Sequence, residues 1–199
     1  MLVGNVQNKN TKSMPFSFIS RLVNGVKGGV TATLKGASDV GSSAVNAVKD
    51  TVVSTLKEVG EFAKEGLDVP ASLVKGAFEG IGGIGASAIK AVRGIVSGTI
   101  QGFVESGGKQ DSAVRGAVGQ SVYEAKELGI DIGETAVAAV EGSIDAVKQT
   151  GGDTVEATKV AVIAALNTAK EVGEDAYKTV VESLSSGVEG AKEIVDSLK

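Results

Sequence analysis

Apolar side chains return along this chain at a fixed interval of 22 residues. One column reads Val30, Val52, Val74, Val96, Val118, Val140, Val162 and Leu184. Four residues later stand Leu34, Leu56, Phe78, Ile100, Val122, Ile144, Leu166 and Val188. Four earlier stand Val26, Val48, Pro70, Val92, Val114, Ala136, Thr158 and Val180. No insertion interrupts the series from about residue 19 to the C-terminus. Offsets of four residues either way share one side of a 3.6-residue helix, so every unit presents one apolar stripe. The pattern predicts an all-α fold.

Polar and glycine positions repeat on the same interval and mark the ends of units. Gly41, Gly85, Gly107, Gly129, Gly151 and Gly173 share a column, and Asp131, Asp153 and Asp175 follow two residues after theirs. Glycine adopts the left-handed conformation that ends a helix, and aspartate accepts hydrogen bonds from the free N–H groups that start the next. Asp131 with Glu134, and Asp153 with Glu156, have the spacing of a capping box. Lys126, Lys148, Lys170 and Lys192 fall where positive charge offsets a helix C-terminal dipole. Helices are expected near 17–37, 40–59, 68–82, 86–105, 111–128, 131–149, 153–172 and 175–198. Joints this short make consecutive helices antiparallel. The expected architecture is an up-and-down antiparallel array or bundle of seven to eight helices. Residues 1–16 read as a flexible or docking arm, and 17–199 as one domain with units starting near 19, 41, 63, 85, 107, 129, 151 and 173. Segments 60–67 and 81–87 depart from the consensus and read as bends.

A rival reading comes from an echo at eleven residues, such as Val155 with Leu166. Such a period keeps a stripe nearly straight along an uninterrupted helix, with the glycines as hinges. Glycine costs about 1 kcal/mol inside a helix, and here it stands where aspartate caps follow. Breaks are therefore favoured over continuity after residue 105.

Two stretches depart from simple amphipathicity. Val160–Leu166 is apolar all round, so it is either central in a bundle or covered by another subunit or a lipid-like surface. Gly94, Gly98 and Gly102 form a ladder of small residues. That ladder suits a membrane-type dimer face, but Lys90, Arg93 and Glu105 flank it, so close packing of soluble helices is the better reading. The candidate self-association residues are Val160, Val162, Ile163, Leu166, Gly94, Gly98 and Gly102. The candidate helix joints are Gly107, Gly129, Gly151, Gly173, Asp131, Asp153 and Asp175.

Composition narrows the chemistry. There is no His and no Cys among 199 residues, which removes imidazole acid–base catalysis, thiol chemistry, disulfides and zinc sites. The run Gly80–Gly85 lacks the G-K-[ST] ending and preceding strand of a phosphate loop. Glu124, Glu127, Glu134 and Glu141 read as surface charges, and Asp131 with Glu134 as a helix cap in preference to a cation site. No enzyme activity, cofactor or metal is expected. The formal net charge of −4 is uneven. Residues 1–62 carry seven basic and four acidic side chains, against eight and sixteen in residues 111–199. Opposite ends of this kind favour head-to-tail association at low salt. The basic charge is too small for a nucleic-acid partner. No signal-peptide core and no window of about 18 apolar residues is present, so a soluble, cytoplasmic protein is expected.

The 22-residue unit with its echo, in phrases such as AKEVGEDAYKTVVESL and VKDTVVSTLKEVGEFAKEGL, resembles other amphipathic helical repeats. It is similar in repeat length to exchangeable apolipoproteins and late-embryogenesis-type proteins, and it looks like the Ala/Gly/Val-rich phasins that coat bacterial polyester granules. The resemblance implies surface coating, lipid or polymer association, or self-assembly. The chain lacks Trp and carries few bulky residues, which weakens interfacial insertion. The leading expectation is a structural protein that associates with itself into a homo-oligomer, filament or layer. The alternative is a coat on a lipid or polymer-granule surface.

Overall fold

The structure is a computed structural model that describes residues 14–35, 37–59, 69–81 and 88–198. The described residues form helices α1 (Met14–Leu34), α2 (Val40–Val59), α3 (Val69–Ile81), α4 (Ala88–Glu105), α5 (Gln110–Leu128), α6 (Ile132–Thr150), α7 (Thr154–Val172), α8 (Glu174–Gly187) and α9 (Ala191–Ser197), and no strand. Most of the expected arm, the bend at 60–67 and nearly all of 81–87 lie outside the described residues.

The joints follow from backbone chemistry. Gly107, Gly129 and Gly151 have φ of 88°, 67° and 76°, a region that costs glycine nothing. At each, the residue after the glycine closes the helix from five positions back: Gly108 N–H donates to Phe103 O, Ile130 to Ala125 O and Gly152 to Val147 O, each at 2.9 Å. This paired closure satisfies carbonyls that would otherwise point into nothing. After Gly129 and Gly151 the next helix is then opened by aspartate: Glu134 N–H donates to Asp131 Oδ1 at 2.7 Å, and Val155 and Glu156 N–H donate to Asp153 Oδ1 at 2.9 and 3.1 Å. Helices end at these glycines and do not run through them.

The last unit differs. Gly173 (φ 151°) alone separates α7 from α8, and Asp175 lies inside the first turn of α8, which has no side-chain cap bond. The single helix expected over 175–198 is two helices. Val188 turns to an extended conformation and Gly190 to φ 77°, which breaks the helix although apolar residues recur at alternating four- and three-residue spacing from Tyr177 through Val181, Leu184, Val188, Ala191 and Val195 to Leu198. Lys192 consequently stands in the first turn of α9 and pairs with Asp196 at 2.8 Å instead of meeting a helix C-terminus.

Every substantial helix contact joins helices one or two apart in the chain. Helices α1, α3, α5, α7 and α9 form one row, and α2, α4, α6 and α8 a second row packed on the first. Consecutive helices cross between rows and are antiparallel: moving from Gly25 to Gly29 on α1, the α2 neighbours step back from Thr51 toward Ala47. Alternate helices lie side by side within a row and are parallel. Gly76 and Gly80 of α3 face Val23 and Lys27 of α1, while Gly94, Gly98 and Gly102 of α4 face Gly41, Val45 and Lys49 of α2. The tightest packing is thus between parallel alternate helices, which the up-and-down order of the chain sets side by side within each row.

The core lies between the rows. Val30, Val52, Val74, Val96, Val118, Val140, Val162 and Leu184 are all fully buried, as are Phe78, Leu73 and Ile95. Burying each such side chain contributes about 1.5–3 kcal/mol. Helix α4 is enclosed over most of its length: every residue from Gly94 to Phe103 is buried. It has α2 and α6 on either side in its own row and α3 and α5 behind it. Helix α7, whose Val160–Leu166 segment was expected to be central or covered by a partner surface, has the seven-residue α9 on one flank, too short to cover its length. Val155 at the start of α7 is accordingly 79% exposed.

Candidate association surfaces

Small residues set the spacing within the rows. A Cβ on Gly98 would stand 2.5 Å from Val45 O, one on Gly76 2.6 Å from Val23 O, and one on Gly142 2.5 Å from Arg93 O. Gly94 meets the Gly41 carbonyl oxygen more closely still, and Gly102 meets Val52 Cβ at 2.8 Å. No other residue fits against backbone at these distances. The ladder of Gly94, Gly98 and Gly102 is therefore filled by α2 of the same chain. A partner could take this face only by displacing α2.

Ion pairs along the outer faces repeat the same neighbour relation. Lys27 reaches Glu79 at 3.2 Å, Lys49 reaches Glu105 at 2.7 Å, and Arg93 reaches Glu141 at 2.8 Å and Asp145 at 2.7 Å. Thr31 Oγ1 adds a hydrogen bond to Gly80 O at 3.2 Å. Half-exposed pairs of this type are each worth at most about 1 kcal/mol, so they fix register more than they supply stability.

The α7 residues divide. Val162 and Leu166 point into the core, at 0% and 3% exposure. Val160 and the half-buried Ile163 border an open groove of about 360 Å³ with Arg115, Glu156, Lys159, Ala164, Asn167 and Thr168. Arg115, Lys159 and Glu156 give it a rim of mixed charge.

A second open groove, of about 470 Å³, lies over the starts of α2 and α4, where Asp39, Ser42, Lys90, Arg93 and Asp145 meet. Ser42 donates its hydroxyl to Asp39 Oδ2 at 2.7 Å and its N–H to Oδ1 at 3.2 Å. These bonds to Ser42 hold the Asp39 carboxyl below its ordinary range. Asp39 is thus the cap of α2, and Arg93 is already neutralised by Glu141 and Asp145. Among the described residues no three acidic side chains gather as a cation site, and no helix is long and apolar enough to cross a membrane.

Some polar groups escape the sequence reading. Glu124, expected at the surface, is 6% exposed and accepts a hydrogen bond from Gln120 Nε2 at 2.7 Å. Counting in 22-residue steps it stands where α3 and α4 carry Gly80 and Gly102, the face turned to the preceding helix of the row. Gln101 is buried and donates to Ser97 Oγ at 2.9 Å. The hydroxyls of Thr99 and Thr135 are buried with no hydrogen-bond partner.

What remains open is the two ends of the array. At the C-terminal end Tyr177 and Val181 of α8 and Ile194 of α9 are only partly buried, and Leu198 is 51% exposed. At the N-terminal end Asn24, Gly28, Ala32, Asn46, Asp50 and Ser54 face outward. No protein-family model and no curated protein matches the chain.

Proposed function

We propose that the chain is a non-enzymatic structural protein that associates with itself into a homo-oligomer, filament or layer. The observation that carries this reading is the open-ended topology. Among the described residues the substantial helix contacts join neighbours one or two places away, so the first and last described helices lack flanking partners that interior helices have. Arrays of this kind need terminal caps with polar outer faces to stay apart. The C-terminal end keeps Tyr177, Val181, Ile194 and Leu198 partly exposed instead. The finer form of the proposal is that each helix is one 22-residue unit and each step along the array is a pair of them. The interior glycine ladder and the core side of α7 hold this array together, and the ends provide the association surface. A lipid or polymer coat would have to open helix faces already closed on each other, which favours the assembly reading. Multi-angle light scattering behind size-exclusion chromatography tests it. An average mass that rises with concentration supports the proposal, and a mass fixed at 19.9 kDa up to millimolar concentration would sink it.

A further inference from the structure

The two ends of the array expose the two halves of the packing that joins helices within a row. Inside the chain, small residues on the later helix sit on a valine-rich ridge of the earlier one, as Gly98 sits on Val45 and Gly76 on Val23. Among the described residues no helix precedes α1 in its row. Its Gly28 and Ala32 are exposed, and a Cβ on Gly28 would meet nothing within 4 Å. Counted in 22-residue steps, these two fall in register with Gly94 and Gly98. Helix α8 has no later helix beside it in its row. Its partly buried Tyr177 falls in register with Val45. One end is an empty seat and the other a bare ridge.

Charge selects between the ways of joining them. From residue 14 to 59 the chain has five Lys and Arg against three Asp and Glu; from 174 to 198 it has two against six. Joining like ends would bring two net-positive ends or two net-negative ends together. Joining unlike ends sets the net-positive end against the net-negative one.

We infer that self-association is polar: the α8–α9 end of one copy receives the α1–α2 end of the next. This rests on the self-association reading and specifies it. A contact between two different surfaces does not close on itself in a pair, so it continues as an open chain or a ring.

Variants at each end test the polarity. Gly28→Glu with Ala32→Glu, at exposed positions, blocks the seat. Tyr177→Arg blocks the ridge, and Val181→Arg is a second, steric block of the same end. Circular dichroism melting confirms that each folds. By sedimentation, wild type grows with concentration, and each variant alone stays at one chain mass. An equimolar mixture of a seat variant and a ridge variant gives a species of twice that mass and stops there, because one intact seat and one intact ridge remain. Higher salt shrinks the wild-type assemblies. A mixture that stays monomeric, or a dimer formed by either variant alone, overturns the polar arrangement. If both variants assemble as wild type does, the named ends are wrong while self-association stands. If wild type itself is monomeric, it is the self-association reading that fails.

Discussion

Gly98 lies so close to Val45 that a Cβ on the glycine would come within 2.5 Å of the valine's carbonyl oxygen. The atom in the way is backbone, so no side-chain rotation relieves the overlap. Gly98→Ala should therefore force α2 and α4 apart. Overpacking costs about 1–3 kcal/mol, which exceeds the gain of about 1 kcal/mol from removing a helical glycine. Gly28→Ala is the internal control: with nothing near its Cβ, it should raise stability by up to about 1 kcal/mol. Urea denaturation of both, below the concentration of any assembly, checks the pair. Equal effects of the two substitutions would contradict the close approach.

At the joints, space is free and only the backbone objects. Gly151 has φ 76°, and a Cβ there would touch nothing within 4 Å. Gly151→Ala should destabilise by about 1–2 kcal/mol, the cost of a left-handed non-glycine residue. Gly151→Asn should cost less, since asparagine tolerates that region. A stabilising Gly151→Ala would mean that the helix runs on through the joint.

Caps separate two aspartates that look alike in sequence. Asp153→Ala removes the acceptor for two N–H groups at the start of α7 and should cost about 1 kcal/mol. Asp175→Ala should cost a small fraction of that, because α8 has no side-chain cap bond to lose. Amide exchange in the first turns of α7 and α8 distinguishes them: Val155 and Glu156 lose protection, and the start of α8 does not.

The hydroxyls of Thr99 and Thr135 are buried without a partner. Valine keeps the shape and removes the desolvated oxygen. Thr99→Val and Thr135→Val should each raise stability by about 1 kcal/mol. A loss of stability in calorimetry would show that these hydroxyls are bonded in solution.

Asp39 gives a local pH dependence. Hydrogen bonds from Ser42 lower its folded pKa, so its contribution is complete above the ordinary carboxylate range, roughly pH 4, and is lost as pH falls through the lowered value. Acidification should lower the protection of the Ser42 and Ser43 amides, relative to their intrinsic exchange rates, before that of the rest of α2. Asp39→Asn should make that protection insensitive to pH over the same interval.

The elements were legible because each rests on a local signal. The apolar column places its eight side chains in the core, and the Gly-Ile-Asp and Gly-Gly-Asp joints carry their stop and start within three residues. The row arrangement was not legible, because the stripe says which side of a helix is buried and not which helix covers it. The ladder at Gly94, Gly98 and Gly102 announces close approach without naming α2 as what approaches. Glu124 was read as a surface charge because its type argues for solvent, whereas its column, shared with Gly80 and Gly102, argues for contact. The break at Val188–Gly190 hides inside a seam whose apolar spacing continues on both sides of it. For association, what matters is which apolar groups the rows leave over, and that is known only once the rows are.

The restriction of contacts to helices one or two places apart bears on how the chain acquires its structure during synthesis. No helix waits for a distant segment: once α3 has followed α1 and α2 out of the ribosome, the first parallel seat can close, and each later helix docks on a finished edge. Mean sequence separation between touching residues stays low, which favours fast folding and limits the time that apolar stripes stay bare. The growing edge is an exposed ridge at every stage, and each newly docked helix renews it.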